Sequence, residues 1–203
     1  CGGENKNPEP GQGQDQDQDQ DQDQDQDSPL PATTSTGIFL DSLVEGLKYE
    51  TPTFSGITNS AGEYNYLPGE TVTFSIGDIV LGTANAGPVV TPLTLVPNAT
   101  DPTDPVVTNI VRLLLTLDDD GDPNNGISIS SATSVAAASL SVDFTVADLS
   151  TDVGVSGLLA TLPASLILVD ATVAQTHFSE TLAAQSTWGG MSWGSGTFRN
   201  APL

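Results

Sequence analysis

Between Gln14 and Asp27 glutamine and aspartate alternate without a break, and this run limits the possible fold more than any other feature of the chain. Read as a strand, it would put seven aspartates on one face, where like charges repel. Read as a globular segment, it offers too little apolar surface to offset the entropy of ordering it. The residues around it are mostly Gly, Pro, Gln, Ser and Thr. Residues 1–36 therefore read as a disordered acidic tether, with a contour limit of roughly 110 to 125 Å and charge repulsion favouring extended conformers. Whatever core exists must be built from the remaining residues.

The one cysteine is residue 1, followed by Gly2-Gly3. That is the sequence left when a lipoprotein signal peptide is cut ahead of its acylated cysteine, so Cys1 is expected to carry a lipid anchor. No run approaches the ~20 apolar residues a membrane-spanning helix needs, the longest candidates being residues 106–117 and 158–169. Contact with a membrane is thus expected through the lipid. Gly2, where an aspartate would signal retention, resembles the lipoproteins that Gram-negative bacteria sort to the outer membrane, which implies an envelope location facing the periplasm or the cell surface. With no further cysteine, neither disulfides nor thiolate metal sites can hold the fold together.

The net charge is −22, of which residues 1–36 supply −8 and the rest −14. Only Lys48, Arg112 and Arg199 are basic after the tether. Nothing can neutralise a row of phosphates, which excludes nucleic acid as a partner and argues against direct adsorption to anionic headgroups.

From Gly37 onward, short β-branched and aromatic segments are punctuated by Gly, Pro and Asn about every ten residues, which is a β pattern. In residues 71–76, Val72, Phe74 and Ile76 point one way and hydroxyl residues the other; Gly77-Asp78 then turns the chain into Ile79-Val80-Leu81. Residues 63–66 alternate similarly, and Leu47 and Tyr49 suggest another strand. The rhythm changes after Val96. Thr103 or Asp104 is a fitting N-cap, Pro105 a fitting first helical residue, and residues 106–117 a helix apolar nearly all round, hence central. Arg112 on it should snorkel or pair with an acid. Residues 131–140, 151–162 and 170–184 read as further helices, the last capped by Asp170 with Ala174, Phe178 and Leu182 on one stripe. The expected fold is α+β: a tether (1–36), a small antiparallel sandwich-like β domain (37–96), a helical portion (97–186) and a Gly/Trp-rich tail (187–203). Whether the β and helical parts share a core is open at this level.

The strings Val44-Glu45-Gly46-Leu47-Lys48-Tyr49, Ser55-Gly56-Ile57-Thr58-Asn59, Gly62-Glu63-Tyr64-Asn65-Tyr66, Val72-Thr73-Phe74-Ser75-Ile76-Gly77 and Leu81-Gly82 resemble a module of bacterial envelope lipoproteins. In that family comes next a helix and an acidic loop like Asn109-Ile110-Val111-Arg112-Leu113-Leu114 through Leu117-Asp118-Asp119-Asp120-Gly121-Asp122-Pro123-Asn124-Asn125-Gly126-Ile127. Some members look like lipoproteins that accompany outer-membrane transporters of fatty acids and alkanes. The resemblance implies an accessory role with such a transporter as partner and an apolar small molecule as cargo. The strand part is also similar to small sandwich modules of surface proteins, in which Gly56, Thr58, Gly62, Tyr64 and Tyr66 would form a hairpin.

The acidic loop follows a helix C-terminus, where the macrodipole already disfavours acids. Asp118, Asp120, Asp122 and Asn124 stand at alternate positions like the first ligands of a calcium loop, so a structural Ca²⁺ is one reading. An EF-hand is excluded, because Pro123 stands where its glycine belongs and Ile129 where its bidentate acid belongs. The plainer reading is a solvated acidic turn. Gly190-Met191-Ser192-Trp193-Gly194 matches the serine-hydrolase string, but the sole histidine, His177, precedes it and the required chain order fails. His177 has no second histidine or internal cysteine with which to share a metal and is expected to hydrogen-bond locally on its helix. The acids sit in surface-type turns rather than in apolar surroundings that would raise a pKa. Trp188 and Trp193 fit either an exposed aromatic platform or a plug on the domain edge. The chain is expected to be a non-enzymatic envelope lipoprotein with a binding or accessory role, its leucine-rich helices enclosing an apolar ligand; a surface adhesion or matrix module is the alternative.

Overall fold

The computed structural model describes residues 33–163 and 166–188, the last two by backbone alone. Cys1, residues 1–32 of the expected tether and most of the expected tail, including Ser192 and Trp193, lie outside the described residues, whereas Ser35 and Thr36, expected in the tether, already belong to the first strand. The chain is α+β, with sheets that are mostly antiparallel. Its strands are β1 (Ser35–Phe39), β2 (Val44–Glu45), β3 (Lys48–Glu50), β4 (Ser55–Ile57), β5 (Glu63–Tyr66), β6 (Thr71–Ile76), β7 (Ile79–Asn85), β8 (Val89–Val90) and β9 (Ile127–Ser128). The helices are α1 (Pro92–Leu95), α2 (Pro105–Thr116), α3 (Ser131–Ala136), α4 (Val153–Thr161) and α5 (Ala171–Trp188).

Alternation sets the sheets. Val72, Phe74 and Ile76 of β6 are all buried, and in β3 the buried Tyr49 sits between the exposed Lys48 and Glu50. One sheet has the order β4-β3-β6-β7, all antiparallel; a second has the order β5-β1-β8; a third is the pair β2-β9. The β6-β7 ladder slips between Phe74 and Ser75, so that Phe74 faces Gly82 while Ser75 faces Val80. The expected Gly77-Asp78 turn joins these strands, with Gly77 at φ +56°, and the end of α3 sits on it: Asp78 Oδ2 accepts from Ser139 N at 2.7 Å. Two expectations are corrected. The pairings β1-β8 and β2-β9 are parallel, and β9 comes from the part of the chain expected to be the helical portion. The residues expected to form one hairpin do not, since β4 pairs with β3 and β5 with β1; the stretch between them is a corner from one sheet to another.

Helix α2 starts as the sequence indicates: Asp104 caps it, its Oδ1 accepting from Val106 N at 2.8 Å, and Pro105 opens the first turn, where no N–H is needed. Its buried polar residues hold the irregular chain that wraps it. Asn109 Nδ2 donates to Phe144 O at 3.0 Å and Val146 O at 2.9 Å. Arg112 Nε donates to Val169 O at 2.7 Å, and its guanidinium lies 3.5 Å from Asp148, so the expected acid partner exists. Helices α3 and α4 are shorter than expected, ending at Ala136 and Thr161, whereas α5 runs to Trp188, into the expected tail.

The described residues fall in one compact unit, with one apolar core running through both halves. Phe39 and Phe74 meet at 4.7 Å between ring centroids and Tyr64 stands edge-on to Phe74 at 5.2 Å. Leu113 and Leu114 of α2, Ile127 of β9 and Ala174 and Phe178 of α5 belong to the same cluster.

Candidate functional site

Three places gather polar chemistry: the acidic loop, a buried acid–histidine contact, and a cleft at the β4–β5 corner.

In the acidic loop the carboxylates turn onto neighbouring N–H groups. Asp120 Oδ1 accepts from Asp122 N at 2.9 Å and its Oδ2 from Asn125 Nδ2 at 2.8 Å. Asp122 Oδ1 accepts from both nitrogens of Asn124, at 3.2 and 2.7 Å. Asp118 is only 3% exposed; its Oδ1 accepts from Ser128 N at 2.9 Å, and its Oδ2 has no partner. Burial, reinforced by the charges of Asp120 and Asp122, pushes the Asp118 carboxyl up against the pull of two backbone N–H groups. The hydrogen bond from Asn125 and that from the Asp122 N–H hold Asp120 down. Among the described residues no three His, Cys, Asp or Glu side chains converge as a metal site requires. Alternate spacing brings Asp118, Asp120, Asp122 and Asn124 into one loop, while local turn bonds occupy most of the oxygens a Ca²⁺ would need.

His177 departs from its expected local role. From α5 its Nε2 reaches across to Asp41 Oδ1 at 3.3 Å and Ser42 Oγ at 3.5 Å, in the tight turn between β1 and β2. Asp41 is fully buried, and neither of its oxygens receives an aligned hydrogen bond. Burial pushes the Asp41 carboxyl up, against the opposing pull of His177. Burial also lowers the pKa of His177, yet the close contact with the Asp41 carboxylate, with the charge of Glu180, outweighs it and holds the imidazole above its usual value. The expectation that every acid lies in a surface-type turn is therefore corrected at Asp41. Its signal was present, since the Asp-Ser pair interrupts the apolar run Ile38-Phe39-Leu40 and Leu43-Val44. A nucleophile relay needs acid and hydroxyl on opposite ring nitrogens; here both contact Nε2, which makes the arrangement a clamp between α5 and the sheet.

The corner cleft has a volume of about 280 Å³. Two tyrosines form its inner wall, and each lies across a glycine on the neighbouring strand. Tyr64 faces Gly37 in the β1-β5 register and Tyr49 faces Gly56 in the β3-β4 register, the rings standing 5.8 Å apart. A Cβ at Gly56 would come within 2.9 Å of the Tyr49 ring, so the bare backbone is what admits it. Tyr64 Oη donates to Gly87 O at 2.7 Å and accepts from Gly87 N at 2.9 Å; burial first, and the neighbouring Tyr66, push it up to about 12 despite the Gly87 bond. Tyr49, 7% exposed, makes no hydrogen bond through its hydroxyl to any described residue. At the mouth, Thr36 Oγ1 donates to Asn65 Oδ1 at 3.3 Å and Asn59 Nδ2 to Glu63 Oε2 at 2.7 Å, with Ile57 60% exposed beside them.

The Gly56/Thr58/Gly62/Tyr64/Tyr66 pattern builds this corner. Thr58 Oγ1 donates to Val44 O at 2.8 Å and accepts from Leu47 N at 3.0 Å, fixing the turn from β4. Gly62, at φ +68°, lets its carbonyl receive Phe39 N at 2.8 Å. A second, more open depression of about 440 Å³ runs along α5 between Thr103 and Ala183, with Gln175 and Glu180 on its wall. The fold and site together define an α+β protein with mixed sheets and a polar corner cleft. Comparison with protein-family models, curated proteins and solved structures finds no match to this chain.

Proposed function

We propose that the chain is a non-enzymatic binding module of the bacterial envelope, anchored through acylated Cys1, set away from its bilayer by the acidic segment and recognising its ligand at its surface. The anchor is proposed from the Cys-Gly-Gly string and the Gln-Asp run that follows it. The observation that favours surface recognition over enclosure of an apolar cargo is the packing of α2. Leu113 and Leu114 have no accessible surface, and Ile110 and Leu117 almost none, so no water-sized space abuts the leucines that would line such a cavity. The polar groups left open gather instead at the β4–β5 corner.

Two measurements test this reading. Mass spectrometry of native protein recovered from membranes should show an acyl-modified Cys1; a free thiol on protein recovered from cytosol would overturn the anchoring. Displacement of a fluorescent fatty acid should show no saturable binding, while saturable displacement would favour the reading in which the module accompanies a transporter of alkanes or fatty acids. The turn bonds of Asp120 and Asp122 support a solvated acidic turn rather than a Ca²⁺ site in this loop, for which calorimetry with Ca²⁺ should give no saturable signal.

A further inference from the structure

We infer that the β4–β5 corner cleft is a subsite for a single saccharide ring, with the Tyr49 hydroxyl, the Asn65 amide and the Glu63 carboxylate as its hydrogen-bonding groups. The inference deepens the surface-recognition role proposed above and rests on it. Its starting point is a contrast between two tyrosines built alike. Each lies over a cross-strand glycine, and each is more than nine-tenths buried. Tyr64 closes its hydroxyl twice on Gly87, as buried phenols ordinarily do. Tyr49 leaves its own without a protein partner, at the inner wall of a cleft that opens outward. That hydroxyl is open to the cleft rather than sealed in the core, so it stays available to a ligand entering from outside.

The surrounding groups define what that ligand is. In the contacts of the cleft, Asn65 uses only its carbonyl oxygen, leaving its NH₂ as donor. Glu63 uses Oε2 toward Asn59 and leaves Oε1 as acceptor. A hydroxyl, an amide donor and a carboxylate acceptor side by side match neighbouring hydroxyl groups, each of which donates once and accepts once. The exposed Ile57 supplies an apolar flank for the C–H face of a ring. At about 280 Å³ the cleft lies just below the ~300–1,000 Å³ typical of ligand sites, room for one ring rather than a chain. Charge excludes acidic sugars: Glu63 stands at the mouth and the chain carries −22 overall. The ligand is a neutral glycosyl residue, taken as the exposed end of a longer glycan.

The test is a two-dimensional amide NMR titration of the ¹⁵N-labelled full chain with a panel of methyl glycosides of glucose, galactose, mannose and N-acetylglucosamine. At least one should give saturable shifts confined to the amides of Thr36, Ile57, Asn59, Glu63 and Asn65. Tyr49→Phe keeps the ring over Gly56 and hence the fold, and should weaken that glycoside about tenfold, the effect of one ligand hydrogen bond. Asn65→Ala should weaken it comparably while leaving the remaining spectrum in place. Absence of saturable shifts across the panel, shifts located elsewhere, or a Tyr49→Phe protein that binds as the parent does would overturn the inference. None of these results depends on Cys1, so failure of the cleft and failure of the anchoring are read separately.

Discussion

Replacing His177 by leucine keeps most of the side-chain volume and removes the one cation near Asp41. The carboxylate left behind is fully buried, and no other group donates to it. Breaking one side of a buried pair costs about 3–5 kcal/mol. The His177 side chain retains 16% exposure, so water reaches the site from one side and the lower end, about 3 kcal/mol, is expected. For a folded portion of this size that is a fall in melting temperature of roughly 6–12 °C. Asp41→Asn placed in the His177→Leu background should restore most of the loss, because a neutral amide is cheaper to bury than a charge.

The same pair fixes the direction of a pH effect. The folded protein holds the His177 pKa above 6.5, so its contribution is complete below that value and is lost as pH rises through the folded pKa. Asp41, also raised, adds a loss in the same direction as pH rises, whereas exposed acids held down by hydrogen bonds, such as Asp143 and Asp148, act the opposite way on the acid side. The neutral window is cleaner, because His177 is the only histidine. Thermal unfolding followed by circular dichroism should show the parent less stable at about pH 8 than at about pH 6, and the His177→Leu/Asp41→Asn double variant, which lacks both partners, nearly level between them. A double variant that keeps the parent's slope, or a His177→Leu protein that melts within ~2 °C of the parent at the lower pH, would refute the pairing.

Asn109→Leu strips the donors from Phe144 O and Val146 O and should cost about 2–3 kcal/mol in urea unfolding, with amide exchange quickening first in residues 141–148. Gly77→Ala combines a left-handed backbone with a Cβ driven onto Ser134 O, and should cost roughly 2 kcal/mol or more by thermal melting. Tyr64→Phe loses both bonds to Gly87 at about 1–2 kcal/mol, and the late phenolate absorbance of the parent, appearing only near a pH of about 12, should vanish with it.

Local signals carried much of the fold. Period-two alternation located β3, β5 and β6, and the Asp104-Pro105 pair located the start of α2, because in each case the deciding interactions lie within a few residues. The apolar girth of α2 foretold its central place, while Asn109 and Thr116 on the same helix are buried because irregular chain 35 to 53 residues away needs their hydrogen bonds. Thr116 Oγ1 receives Val169 N at 2.9 Å. The site was less legible for the same reason. Nothing near Asp41 in sequence announces His177, and nothing near Tyr49 announces Asn65; both meetings are made by the topology. The acidic loop misled in the opposite direction, since alternate spacing resembles a ligand set but equally suits carboxylates that close turns on their own backbone.

The parallel pairing of β2 with β9 decides how far the chain can be divided. Val44 faces Ile127 and Glu45 faces Ser128, so the second strand of the β half is completed by residues beyond α2. A parallel pair requires a crossover, and here the crossover contains β3 to β8, α1 and α2. Leu43 O accepts from Ile127 N at 2.9 Å and Glu45 O from Ile129 N at 3.0 Å, bonds with no substitute within residues 37–96. A fragment of residues 33–96 would lack these bonds and also the α2 leucines that complete the core around Phe39 and Phe74. It is too short to bury a sufficient core without them. Such a fragment should show no cooperative thermal transition, whereas residues 33–188 should show one; a cooperative melt of the shorter piece would mean that the β half holds a core of its own and that β9 is an ornament on it.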